Sequence, residues 1–228
     1  MKFTILHILC EGQTEERFVK DVLSPYLAQF YIYPKPILLL TSKKKNARGG
    51  MISYAQARRD LSILMKQFRN NDYERHLFTT MFDYYALPDD FPGFYESINF
   101  QDVRERIAFL ENKFASDLGF NAFIPYIQLH EFEALLFADI SLLSYEYPLA
   151  ADKIQKLKMV TDVYDDPELI NNSPDTAPSK RIIAALAQDY NYNKVKSGAA
   201  VTSAIGIDIL LAKCRHFNHW INTITNYP

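Results

Sequence analysis

The sequence predicts an α/β fold: a mostly parallel sheet flanked by helices, with a mainly helical C-terminal part. Three observations carry this expectation. Over the first 120 residues, short β-branched apolar runs alternate three times with segments whose apolar residues recur at helical spacing. Strands separated by helices in this way pair in parallel. Beyond about residue 140 only helical spacing persists, around one polar loop rich in Asn, Pro, Ser and Asp. The chain has 228 residues, a length suited to one domain with an appended subdomain. The expected division is an α/β core over 1–140 and a helical subdomain over 141–228 packed on it.

The elements follow in order. KFTILHILC (2–10) reads as a buried strand that ends where CEGQTEE turns polar. Thr14 is placed to cap a helix with Glu15 and Glu16 in its first turn, where the helix dipole favours acids. Phe18, Val22, Tyr26 and Phe30 form its apolar face, and Pro25 should kink or shorten it. Pro36 precedes a second strand, Ile37 to Thr41. Helical spacing returns at Tyr54, Ala57, Leu61, Leu64 and Phe68, followed by a third strand from His76 to Phe82. Asn99 reads as the cap of a helix with Val103, Ile107, Leu110 and Phe114 on one face. A fourth strand, Ala122 to Leu129, runs into the helical segment HEFEALLFAD, and Leu210, Cys214, Phe217, Ile221 and Ile224 mark a last packed face.

Composition excludes several classes. The chain is 48% apolar, which rules out disorder, and no apolar run approaches the roughly 20 residues of a bilayer span. The apolar start meets Glu11 at once and has no small-residue cleavage site, which argues against a signal peptide. Two cysteines, Cys10 and Cys214, both in apolar patterns, read as reduced thiols of a cytoplasmic protein. A net charge of −2 and a pI near 6.2 lack the basic footprint of a stand-alone duplex binder. The one dense basic cluster, Lys43, Lys44, Lys45 and Arg48, is either a solvated loop or a phosphate contact.

Acids follow three of the strands: Glu11, Asp83, and Glu131 with Glu133. In a parallel sheet the strand carboxyl ends converge on one edge, where ligands bind. Carboxylates gathered there repel one another unless cations lie between them, and Mg²⁺ suits such a site. Two ions about 3.5–4 Å apart would clamp a phosphodiester for in-line attack by water. The plainer alternative is a set of helix caps and solvated turns, which fits Glu15 and Glu16 well, and Asp139 as the cap of a following helix. Tyr84 and Tyr85 beside Asp83 are placed to stack on a base. Other motifs fail. His130-Glu131 opens like a zinc-protease helix, but position 134 is Ala. Gly49-Gly50 lacks the ending of a phosphate-binding loop, and Ser179-Lys180 is not a Ser-x-x-Lys nucleophile pair.

CEGQTEERFV, MFDYYALPDDFPG, PYIQLHEFEALLF, PELINNSPDTAPSKRI and CRHFNHW, in that order, resemble the Toprim-like family catalogued as domain of unknown function 4276. The resemblance spans nearly the whole chain. The wider Toprim fold of topoisomerases, primases and related nucleases implies a glutamate after the first strand and an Asp-x-Asp pair after a later one, together binding Mg²⁺ or Mn²⁺. Glu11 matches the glutamate, Asp83 the first aspartate, and Glu15 an acid that the nuclease branch places four residues on. The second aspartate is Tyr85 here, with Glu131 or Glu133 the candidate replacement. Lys180 or Arg181 matches a downstream cation that neutralises the transition-state phosphate.

The resemblance further implies a prokaryotic defence context, an ATPase partner, nucleic acid as target and a possible homodimer. The expected function is therefore Mg²⁺-dependent cleavage of DNA or RNA, with Glu11 as proton acceptor. The competing class is a non-catalytic, Toprim-derived regulatory or nucleic-acid-binding module of such an ATPase.

Overall fold

The structure, a computed structural model, describes residues 2–39, 53–171 and 176–228. β1 (Phe3–Cys10) leads into α1 (Gln13–Phe18), a π-helical turn (Val19–Leu23) and α2 (Ser24–Leu27). The chain returns as β2 (Ile32–Leu38), continues through α3 (Tyr54–Gln67) and enters β3 (Glu74–Asp83). The short α4 (Phe94–Ser97), then α5 (Val103–Leu118), precede two minimal strands, β4 (Phe123–Ile124) and β5 (Ile127–Gln128). Turns of 3₁₀ helix over Phe132–Leu142 run into α6 (Leu143–Glu146), and a further 3₁₀ turn (Pro148–Ala150) leads to α7 (Ala151–Thr161). After a polar loop come α8 (Pro178–Leu186), α9 (Lys194–Ile205), α10 (Ile207–Lys213) and α11 (Arg215–Thr225).

Every strand pair is parallel, and the order is β2-β1-β3-β4, with β5 also on β3. The chain winds outward from β1 to β2, then crosses back over β1 to β3. That reversal opens a crevice between the carboxyl ends of β1 and β3. The period of two along each strand sorts side chains onto two faces. Leu6, Ile8, Cys10, Leu77 and Met81 pack with α1, α2 and the C-terminal helices. Leu9, Phe78 and Phe82 pack with α3 and α5. Phe18, Phe132 and Phe217, from three distant parts of the chain, meet with ring centroids 5.4 and 5.9 Å apart. Both cysteines are free and buried, and among the described residues no single helix is long and apolar enough to cross a membrane.

Several boundaries differ from expectation. Proline lacks an N–H, and its ring crowds the carbonyl four residues back. At Pro25 the helix responds by widening into the π turn, and Ser24 Oγ donates to the Val19 carbonyl at 2.8 Å. Phe30, read as part of the apolar face, is 45% exposed. The second strand begins at Ile32 and contains Pro34 and Pro36, which β2 tolerates because it is an edge strand. The fourth strand is broken at Pro125 into β4 and β5. Asp102, not Asn99, caps α5, accepting from the N–H groups of Arg104 and Glu105. The last apolar face is continuous, but its backbone breaks at Cys214 between α10 and α11.

Candidate active site at the carboxyl edge of the sheet

Glu11 and Asp83 flank the crevice. Glu11 Oε1 accepts the Asp83 N–H at 3.0 Å, and Asp83 Oδ1 accepts the Phe132 N–H at 2.9 Å. These two bonds tie the end of β1 to β3, and β3 to the 3₁₀ segment. Glu15 lies in the first turn of α1 and reaches back to the Gly12 N–H at 2.9 Å, half of a capping box. Glu131 and Glu133 come from the start of the 3₁₀ segment, where Glu133 is 2% exposed. Both Glu131 oxygens accept from Ser179, one from its N–H and the other from its hydroxyl at 2.9 Å.

The electrostatics mark these acids as one group. Burial raises the Asp83 carboxyl well above the ordinary range, and the charges of Glu11, Glu15, Glu133 and Glu131 raise it further. Glu11 is pushed up to about 8 by burial and then by Glu15, against the Asp83 N–H. Burial also raises Glu15, and it brings Glu133 to about 7 against the pull of Lys194.

Among the described residues one cation pairs with these acids. Lys194 Nζ is 3.1 Å from Glu133 and 3.8 Å from Glu131. Burial opposes its charge, but Glu133, Glu131 and Asp83 hold it above the usual lysine value. Its position is set by packing. Asn193 caps α9 through the Lys196 N–H at 3.0 Å. A Cβ on Gly198 would come within 2.9 Å of Thr14 Cγ2 and 3.2 Å of Phe132. Glycine thus lets α9 approach α1 and the 3₁₀ segment closely enough to set Lys194 over the carboxylates.

The other predicted residues distribute unevenly. Tyr85, 39% exposed, adjoins the site. Burial raises its phenol to about 12, with Glu131 and Tyr84 adding to the shift, and its ring is 5.3 Å from that of His130. Lys180 is exposed, and Arg181 Nε donates to the Thr176 carbonyl at 2.7 Å. Neither forms an ion pair with the acidic group among the described residues. Lys43, Lys44, Lys45 and Arg48 lie outside the described residues. Asp139 Oδ1 accepts the Ser141 N–H at 3.3 Å, as expected of a turn cap.

Sequence reading missed Lys194, which has no motif around it, and passed over Ser179, whose role is to hold Glu131. His130, weighed there only as a zinc ligand and set aside, takes a left-handed backbone φ of 61°, and its carbonyl accepts the Tyr85 N–H at 3.0 Å.

Among the described residues no three carboxylate, imidazole or thiolate groups converge as a preassembled metal cage. The donor chemistry nonetheless fits a hard divalent cation, because it consists of carboxylates coupled through their charge. Glu11 and Asp83 each engage only one oxygen in hydrogen bonds among the described residues.

Fold and site together define a parallel α/β protein with an acidic group at the strand switch point. The chain belongs to the family described as Domain of unknown function (DUF4276), whose model matches residues 10–225. No curated protein and no solved structure matches the chain significantly.

Proposed function

We propose that this protein is a Toprim-like, Mg²⁺- or Mn²⁺-dependent nuclease that cleaves DNA or RNA phosphodiesters. In this reading it is the cytoplasmic effector of a prokaryotic defence system working with an ATPase. The observation that carries the proposal is the meeting of Glu11 and Asp83 at the switch point, where Glu11 Oε1 accepts the Asp83 N–H at 3.0 Å, with Lys194 held 3.1 Å from the neighbouring Glu133. Glu11, Glu15 and Asp83 would hold the ion, which when bound would polarise the phosphate and lower the pKa of attacking water. Glu131 has both oxygens committed to Ser179, so with Glu133 it positions Lys194 rather than completing the metal set. Lys194, rather than Lys180 or Arg181, is the cation suited to the charge that develops on the phosphate. Glu11 accepts a proton from the attacking water, and Tyr85 offers a ring for base stacking. The low net charge is consistent with an ATPase that supplies the grip on nucleic acid, and a homodimer would present two such edges.

A second reading, a non-catalytic regulator of the ATPase, is favoured by one feature: Tyr85 stands where Asp-x-Asp would place its second acid. The deciding experiment incubates the protein with plasmid DNA and total RNA in Mg²⁺ or Mn²⁺, beside Asp83→Ala and Asp83→Asn. Cleavage by the wild type and its loss in both folded variants supports the nuclease. Neither cleavage nor Mn²⁺ binding by the wild type, with and without the ATPase, selects the regulator.

A further inference from the structure

A second cavity lies on the α3/α5 face of the sheet, toward the amino ends of the strands. It measures about 380 Å³, and its lining includes Lys66, Phe68, Arg69, His76, Phe78 and Phe120. His76 lies seven residues before Asp83 on β3, roughly 20 Å along the strand at about 3.3 Å per residue. The cavity is therefore separate from the acidic edge.

Its lining combines aromatic rings with positive charge. Phe68 stacks on both His7 and His76, at 4.4 and 5.1 Å, which fixes one wall. Phe120 meets Phe78 edge to face at 5.5 Å and is 37% exposed, which leaves ring surface open to a flat ligand. Lys66 and Arg69 are exposed three residues apart, and neither takes part in an ion pair among the described residues. Lys66 in the last turn of α3 suits the helix dipole. Arg69 lies beyond the helix end and has no such explanation. Glu74 does not line the cavity; it engages Asn71 at 3.2 Å and lies 3.5 Å from His76.

Flat faces beside unpaired cations select a flat aromatic ring carrying an anionic group. The volume lies near the lower end of the roughly 300–1,000 Å³ typical of ligand sites, which admits one ring and one phosphate rather than a longer segment. We infer that this cavity binds a nucleoside monophosphate unit, its base against Phe120 and its phosphate on Lys66 and Arg69. The unit comes either from a free nucleotide or from the end of a strand.

The test titrates the full chain by calorimetry with the four ribonucleoside monophosphates, adenosine and inorganic phosphate. Saturable binding of at least one monophosphate, tighter than adenosine or phosphate alone, is expected. Lys66→Ala/Arg69→Ala should weaken it about tenfold or more, Phe120→Ala should weaken it independently, and Asp83→Ala should leave it unchanged. Displacement of the nucleotide by a 5′-phosphorylated oligonucleotide identifies a strand end as the source; no displacement identifies the free nucleotide. Absence of saturable binding into the millimolar range overturns the inference. So does binding that survives both cavity variants but is lost in Asp83→Ala, since the ligand would then sit at the acidic edge. Because the nuclease reading is judged by cleavage and metal binding, failure of one leaves the other standing.

Discussion

The carboxylates of Glu11 and Glu133 are held near pH 8 and 7, well above the 4.5 of a free glutamate, mainly because burial disfavours their charge. Through these two groups the folded chain binds more protons than the unfolded chain between about pH 4.5 and 8, so their contribution to stability falls as pH rises, against a smaller opposite contribution from the buried His7 and His130, each lowered to about 4. Melting temperature in EDTA should accordingly drop between pH 5 and pH 8, and Mg²⁺ or Mn²⁺ should flatten the decline by compensating the same charges. Thermal melts over that range check this; a flat profile in EDTA would show that these acids carry no net penalty when ionised. Lys194→Met removes the one cation that pairs with the group among the described residues. If the nuclease reading holds, the variant should cleave about 10²–10³-fold more slowly, comparable with loss of one preorganised electrostatic contact, and a cleavage time course measures it. At this scale Glu11, Asp83 and Glu131 were legible because acids at strand ends have a fixed geometric meaning. Lys194 was not, because only the docking of α9 brings it to residues some 60 positions earlier.

Helix α9 shows how an element delivers a side chain. Its approach to α1 depends on the missing Cβ of Gly198, so Gly198→Ala must push against Thr14 and Phe132. Overpacking of this kind costs about 1–3 kcal/mol. In a chain of this size the melting temperature should fall by about 2–4 °C per kcal/mol. Thr14→Ser, which deletes the nearer obstructing methyl, should recover part of that loss in the double variant, and calorimetry of the four proteins closes the cycle. Elements with long, regular periodicity, such as α3 and α5, were readable almost to their ends. Most of the misread boundaries fall where proline changes the outcome, the α5 cap at Asp102 and the break at Cys214 being the exceptions. Pro25 produced a wider turn where a kink or a shorter helix was expected, Pro34 and Pro36 entered a strand that began earlier than expected, and Pro125 divided one strand into two. In each case the result depends on whether a neighbour needs the missing N–H, which only the assembled sheet or helix determines.

For the whole molecule, the alternation of strands and helices predicted a parallel sheet, but not its strand order. The order matters most, because the reversal between β2 and β3 is what brings Glu11 beside Asp83. The larger core is also shared between distant parts of the chain: Phe217, Trp220 and Ile221 bury against the same face as Leu6 and Leu77. Trp220 Nε1 donates to Thr79 Oγ1 on β3 at 2.9 Å. A fragment of residues 1–140 would expose that face, and we expect it to lack fixed tertiary structure. Near-UV circular dichroism and amide dispersion of the fragment, compared with the full chain, provide the check.

The prolines of β2 carry a consequence for assembly. Leu39 N–H reaches the Cys10 carbonyl and Thr4 N–H the Tyr31 carbonyl, each at 2.9 Å, so odd-numbered residues of this strand face β1. Pro34 and Pro36 therefore face outward, and two of the four outward positions from 32 to 38 offer no donor to an incoming strand. On the opposite border, β4 and β5 are only two residues long, with Pro125 between them. Neither border of the sheet is a template for extension. Any further copy of this chain would have to dock through helices and side chains, leaving the sheet closed to growth by strand addition.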